Sequence, residues 1–142
     1  MGEIKSLDEV AKVARAAKKG GKTVGLITGC FDIIHIGHIE LFRFARKNVN
    51  VVVVGLDSDE AIKISKGEMR PIHNLKQRSL ILSELNSVDF IFPIRKVFKF
   101  DSEEAESFHR GILKKISPDY LITAPSNDKF WKKKESMAKE FG

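Results

Sequence analysis

Two rhythms of apolar residues alternate along the chain. The first is helical: Val10, Val13, Ala14 and Ala17 recur at the spacing of one helix face. That stripe is entered through Ser6-Leu7-Asp8-Glu9, a capping box with its glutamate three residues after the serine, and it stops at Gly20-Gly21. The second rhythm is continuous. Thr23–Thr28 and the β-branched run Val51–Val54 read as strands, and Asp89–Ile94 and Asp119–Thr123 as two more. Helices are predicted between them at His38–Asn48, Asp59–Ser65, Leu75–Asn86 and Ser102–Ile116, with a last one from about Asp128 to Phe141. No repeat, low-complexity tract or linker divides this pattern, so residues 1–142 read as one domain.

Continuously apolar strands separated by helices predict a parallel sheet covered on both faces. Right-handed crossovers turn that into an α/β, Rossmann-like doubly wound sandwich. In such sheets the ligand crevice lies at the carboxyl ends of the strands. Polar motifs just after Thr28, Leu56 and Thr123 are therefore expected to converge.

Composition narrows the classes. Hydrophobic residues make up 42% and charged residues 31% of 142, an ordinary globular mix. No apolar run approaches the roughly 18 residues that span a bilayer, and Met1-Gly2-Glu3-Ile4-Lys5 lacks the basic-then-apolar order of a secretory signal. A single cysteine, Cys30, leaves no internal disulfide, so a cytoplasmic setting is expected, with no membrane partner. The net charge of +6 favours an anionic partner. Its spread along the chain, with runs only at Lys18-Lys19 and Lys132-Lys133-Lys134, suits solvated faces and a small anion better than nucleic acid.

The segment Thr28-Gly29-Cys30-Phe31-Asp32-Ile33-Ile34-His35-Ile36-Gly37-His38 carries the candidate chemistry. It joins the first predicted strand to a helix, where free backbone N–H groups and the macrodipole favour an anion. Gly29 and Gly37 leave room for a phosphate or ribose near the backbone. Two histidines three apart can donate to phosphate oxygens, including charge that builds on a departing pyrophosphate. A zinc site would need a third ligand, and His73 and His109 show no matching spacing, so no protein-held metal is expected. The glycine fingerprint of a dinucleotide site is missing after this strand. Arg78 shares a helical face with Leu82 and Leu85, so its charge needs an anionic partner. Cys30 has no neighbouring base that would make it a nucleophile.

Gly29-Cys30-Phe31-Asp32 followed by His35-Ile36-Gly37-His38 resembles the signature of the cytidylyltransferase-like, HIGH-motif nucleotidyltransferases. Gly55-Leu56-Asp57-Ser58-Asp59, Lys66-Gly67, Arg70-Pro71, Gln77-Arg78, Leu85 and Val88-Asp89 follow in the order of one branch, the nucleotidyltransferase domain of bacterial ADP-heptose synthases of lipopolysaccharide-core biosynthesis. The resemblance covers about residues 4 to 94. It implies transfer of a nucleotidyl group from ATP or CTP to a phosphorylated small metabolite, such as heptose 1-phosphate, with release of pyrophosphate. It also implies Mg2+ carried on the nucleotide's phosphates. His35, His38, Lys66 and Arg78 become the candidate catalytic residues, and Thr28, Gly29, Cys30, Phe31, Gly37 and Asp57 the nucleotide-binding positions. The nucleotide is expected between the His35–His38 turn and the helix starting near Leu75.

The chain departs from that branch in four places. Thr28 stands where the branch has asparagine, and Ala124-Pro125-Ser126-Asn127-Asp128 stands where it has a lysine-glycine-glycine-aspartate turn. Residues 95–106 read as an insertion. The branch's final strand and serine-threonine-rich helix start have no counterpart before Gly142, so four strands are expected, or a shortened set of five. Lys129 or Lys132, or groups from a second subunit of a homo-oligomer, are then expected to supply charge to the triphosphate. Glycerol-3-phosphate cytidylyltransferase and FMN adenylyltransferase remain alternatives, as does a nucleotide-binding regulatory domain without catalysis.

Overall fold

Residues 2–124 and 129–141 are described by the structure, a computed structural model. The predicted elements form, with one addition. The chain runs β1 (Glu3–Ile4), α1 (Leu7–Lys19), β2 (Val24–Gly29), α2 (Ile36–Asn48), β3 (Val51–Asp57), α3 (Asp59–Lys66), α4 (Leu75–Ser83), β4 (Phe90–Ile94), α5 (Glu103–Ile116), β5 (Tyr120–Leu121) and α6 (Trp131–Phe141). The strands form one sheet in the order β1-β4-β3-β2-β5, and every pairing is parallel. The sheet has five strands, where four or a shortened set of five were expected. The fifth is β1, a two-residue edge against Phe90 and Ile91, too short to leave any periodicity in sequence.

Alternation along each strand splits the core between the two faces. Val24, Leu26, Val51, Val53, Phe92 and Ile94 pack beneath α1, α5 and Met137 of α6. Ile27, Val52, Val54, Leu56 and Ile91 pack beneath Phe42 and Ala45 of α2 and Leu82 of α4. Covered on both faces, β3 is buried from Val51 to Asp57, which is why it reads as an unbroken apolar run. Gly55 has a packing reason: a Cβ there would lie 2.6 Å from the Phe92 ring.

Caps set the helix starts. Ser6 and Glu9 close the expected box on α1 at 3.2 and 3.0 Å. Asn74 and Gln77 close another on α4 at 2.9 Å each way. Helix α4 is shorter than predicted, ending at Ser83. Among the described residues no helix is long and apolar enough to cross a membrane.

Candidate active site

Strands β2 and β3 end side by side, Thr28 opposite Gly55 and Gly29 opposite Leu56, and the chain after β2 turns over this edge. Phe31 takes a left-handed backbone conformation, φ 51°, which folds its ring back over Gly29. A Cβ on Gly29 would lie 3.1 Å from that ring, so the space above this glycine belongs to Phe31 rather than to a ligand. The same ring meets the His38 ring edge-on, centroids 5.1 Å apart.

Asp32 holds the turn in place. Its carboxylate accepts hydrogen bonds from the backbone N–H of Ile72 at 2.7 Å and of His73 at 2.8 Å, and from Arg70 Nε at 3.2 Å. Arg70 also donates to the Asp32 carbonyl. Burial raises the Asp32 pKa, but these bonds outweigh it and hold the carboxyl below its ordinary range. The Arg70-Pro71 loop is thereby fastened to the histidine turn.

The two histidines do the work that a serine or aspartate usually does at a helix start. His35 is the cap of α2, and its Nδ1 accepts from Gly37 N–H at 3.1 Å. His38 Nδ1 accepts from His35 N–H at 3.3 Å. The rings stack with centroids 3.7 Å apart. Because each Nδ1 lone pair is occupied by a backbone donor, a neutral imidazole must carry its proton on Nε2. Burial, then His35, then Lys66 push the His38 pKa down to about 4, so His38 is uncharged near neutral pH. The capping arrangement therefore yields two Nε2–H donors of fixed tautomer beside a helix N-terminus.

These residues line a cavity of about 760 Å³. Of the sequence-derived candidates, Thr28, Gly29, Cys30, Phe31, His35, His38, Asp57 and Lys66 are on its wall. Gly37 lies in the first turn of α2 and is not part of the lining. Arg78 is also absent from the wall. It is 1% exposed and sits behind the edge, where its guanidinium joins three chain segments. Nη1 donates to the Cys30 carbonyl at 2.9 Å, Nη2 to the Asp57 carbonyl at 2.9 Å and Asp59 Oδ1 at 2.7 Å, and Nε to the His73 carbonyl at 3.0 Å. The inward charge expected from sequence thus meets carbonyls and a carboxylate, and Arg78 positions the site from outside the cleft. Asp59 is taken by this pair, and the cap of α3 is Ser58, whose Oγ accepts from Ala61 N–H at 3.1 Å.

The cavity is lined by residues of α5 and α6 and by none of α4, the helix beside which the nucleotide is expected. Its far side is formed by Phe98 and Phe100 from the segment read as an insertion, with His109 of α5 and Phe130 just before α6. Lys129, Lys133 and Lys134 stand on that side as well, while Lys132 does not. Sequence reasoning missed the aromatic residues because nothing local distinguishes them from core, whereas the last helix was expected and, of the two lysines named for it, Lys129 lines the cavity and Lys132 does not. Residues 125–128 of the turn that departs from the related branch lie outside the described residues.

A half-buried thiol and a buried carboxyl also line the cleft. Burial and the neighbouring Asp57 push the Cys30 thiol up to about 12, so it stays a thiol and is no nucleophile near neutral pH. Asp57 is raised by burial, against the opposing pull of Lys134, Cys30, Arg78 and Lys66. Its Oδ2 is 3.6 Å from Cys30 Sγ.

Known proteins resemble the chain in sequence and in fold. Two curated relatives, both named Bifunctional protein HldE, come from Aliarcobacter butzleri and Sulfurimonas denitrificans. They are 41% and 32% identical over 119 residues, 84% of this chain. The chain spans 23% of the length of each. Among solved structures, a pantoate-beta-alanine ligase from Francisella tularensis shares the fold with a TM-score of 0.57 at 18% identity, over 85% of this chain and 56% of that one. The cytidylyltransferase-like profile matches residues 26–142, from the β2 strand through both histidines to α6. With most of its length in that match, the chain belongs to the cytidylyltransferase-like family.

Proposed function

We propose that the cleft binds a nucleoside triphosphate and catalyses attack by an acceptor phosphate on its α-phosphorus, releasing pyrophosphate. The observation that carries the reading is the pair of histidines fixed as Nε2–H donors at the start of α2. Both Nδ1 atoms are occupied by backbone N–H groups. Donors of fixed tautomer and orientation stabilise charge that builds on a leaving pyrophosphate without reorganising. The acceptor phosphate is ionised near neutral pH, so no side chain has to become a nucleophile. The raised Cys30 thiol agrees with a direct displacement. Catalysis is then positioning plus electrostatics. Lys66 stands on the same wall as a phosphate-binding cation.

The family implies Mg2+. Among the described residues no group of three or more histidine, cysteine or carboxylate side chains forms a cage for it. That donor set fits an ion held mainly by phosphate oxygens and water, where it would neutralise phosphate charge.

The acceptor we propose is a sugar phosphate such as heptose 1-phosphate, with ATP as donor. The relatives named HldE and the branch resemblance of residues 4–94 support this choice. The test is a pyrophosphate-release screen pairing ATP and CTP with heptose 1-phosphate, glycerol 3-phosphate, FMN and choline phosphate. Release with ATP and heptose 1-phosphate is the expected result. Release only with CTP and glycerol 3-phosphate, or only with ATP and FMN, moves the acceptor assignment. Nucleotide binding without release for any pair replaces the enzyme with a binding module. A homodimer belongs to the same proposal, and light scattering at the mass of one chain would remove it.

A further inference from the structure

Asp32 and Asp57 are buried to the same degree, 7% exposed each, and differ in what they hold. The Asp32 carboxylate takes nitrogen donors from Ile72 N–H, His73 N–H and Arg70 Nε. Among the described residues the Asp57 carboxyl takes only the Cys30 thiol, 3.6 Å from Oδ2. A carboxylate has about four acceptor positions, and a thiol is a weak donor. Every fully enclosed side-chain oxygen among the described residues has a hydrogen-bond partner, so Oδ1, which has none, is open to the cavity that Asp57 lines. Its main chain is held from behind. Arg78 donates to the carbonyls of Cys30 and Asp57 at 2.9 Å each, which fixes the thiol and the carboxyl relative to one another. The fold thus presents a positioned, under-bonded acceptor on the wall of the cleft.

Charge decides what fits against Oδ1. A phosphate oxygen there would set like charges together, so the complement is a neutral donor. A nucleobase has amino groups but also a flat face to place, and Phe98 and Phe100 on the far side of the cavity offer it a surface. Hydroxyls are the other neutral donors of the proposed reaction. We infer that Asp57 is a specificity-determining residue of this cleft, accepting the O–H of a substrate sugar at Oδ1 while the phosphates go to His35, His38 and Lys66. The inference rests on reading the cleft as a nucleotidyltransferase site. The sugar is that of the acceptor or the ribose of the nucleotide, and the chemistry is the same for both. A buried acceptor built for a hydroxyl rejects the analogue that lacks it, because the acceptor is then left unpaired.

The test is titration calorimetry of the full chain, wild type against Asp57→Ala, with ligands that differ by one hydroxyl. In one arm MgATP is compared with the analogues lacking one or the other ribose hydroxyl. In the second arm the chain is loaded with a non-hydrolysable MgATP analogue, and heptose 1-phosphate is compared with its monodeoxy forms. In one arm wild type should favour the complete ligand by about tenfold to a hundredfold, the range for a hydrogen bond to a charged group. Asp57→Ala should bind that ligand and its deoxy form alike, and the arm in which this happens names the sugar. Asp57→Asn keeps the shape with a neutral acceptor and should retain part of the preference, which keeps the test open if the alanine variant folds poorly. Inorganic pyrophosphate should bind Asp57→Ala no more weakly than wild type. Weaker pyrophosphate binding would mean that the carboxyl gives a proton to phosphate, and overturns the inference. A preference for ATP over inosine triphosphate that disappears in Asp57→Ala overturns it too, since the carboxyl then reads the base. A wild type that binds neither ATP nor CTP removes the nucleotidyltransferase reading and this inference together. A wild type that turns over, with no hydroxyl preference that depends on Asp57 in either arm, removes the inference alone.

Discussion

Replacing Arg78 by alanine should unfold more of the molecule than its distance from the cleft surface suggests. The side chain is fully buried, and three main-chain carbonyls, those of Cys30, Asp57 and His73, accept from it. A buried acceptor left unpaired costs about 1–3 kcal/mol. The lower end applies here because truncation opens space for water, which gives about 3 kcal/mol for the three. Asp59 adds little, since its side chain is 36% exposed and regains solvent, so its share is about 0–1 kcal/mol. Lost packing of the aliphatic stem brings the total to about 4 kcal/mol, within the 3–5 measured when one partner of a buried ion pair is removed. With a urea slope of about 2 kcal/mol per M, the unfolding midpoint should fall by about 2 M. Urea denaturation followed by circular dichroism at pH 7 reads this directly. Asp59→Asn, which leaves all three carbonyls paired, should cost less than about 1 kcal/mol. A midpoint shift under about 0.5 M for Arg78→Ala would mean that water or neighbouring groups replace the guanidinium at no cost, and would falsify the positioning role.

His38→Ala should lower kcat on the order of a hundredfold while nucleotide affinity barely changes, the signature of a donor used in the transition state. A loss confined to KM contradicts the assignment. His38 should titrate near pH 4 when its ring protons are followed by NMR, against an ordinary value of 6.5. Between those values the unfolded chain binds a proton that the folded one refuses, so stability should fall as pH drops from 6.5 toward 4. A midpoint near 6.5 would refute this. Gly55→Ala should cost about 1–3 kcal/mol by overpacking, since its Cβ would stand 2.6 Å from the Phe92 ring. An unchanged Tm would show that the ring moves freely.

What the sequence revealed was whatever is local. The Ser6–Glu9 box, the apolar run of β3 and the histidine turn each announce themselves within a dozen residues, and each forms where expected. Partnerships across the chain did not announce themselves. The Asp32 clasp on Ile72 and His73 joins positions 40 and 41 apart, and no periodicity encodes it. Arg78 was legible as a buried charge but not as to which partners it satisfies, because three of them are backbone carbonyls. The aromatic side of the cavity was illegible for a related reason. Phe98 and Phe100 look like core from sequence, and only the placement of α5 and α6 over the sheet edge turns them into a wall. His35 as a helix cap was outside the usual residue preferences, so α2 starts two residues before its predicted limit.

Among the described residues helix α6 has one buried side chain, Met137, and it is also anchored by polar contacts, Arg110 with Glu140 at 3.0 Å, Lys133 with Glu106, and Lys134 with the Thr28 carbonyl. Burying one methionine contributes about 1.5–3 kcal/mol. A ligand at a hundred times its dissociation constant contributes about 2.7 kcal/mol to whatever state binds it. The two quantities are of the same size. A nucleotide seated against α6 would therefore act as a second core for that helix, and amide exchange along residues 131–141 would report occupancy of the cleft without any need for turnover.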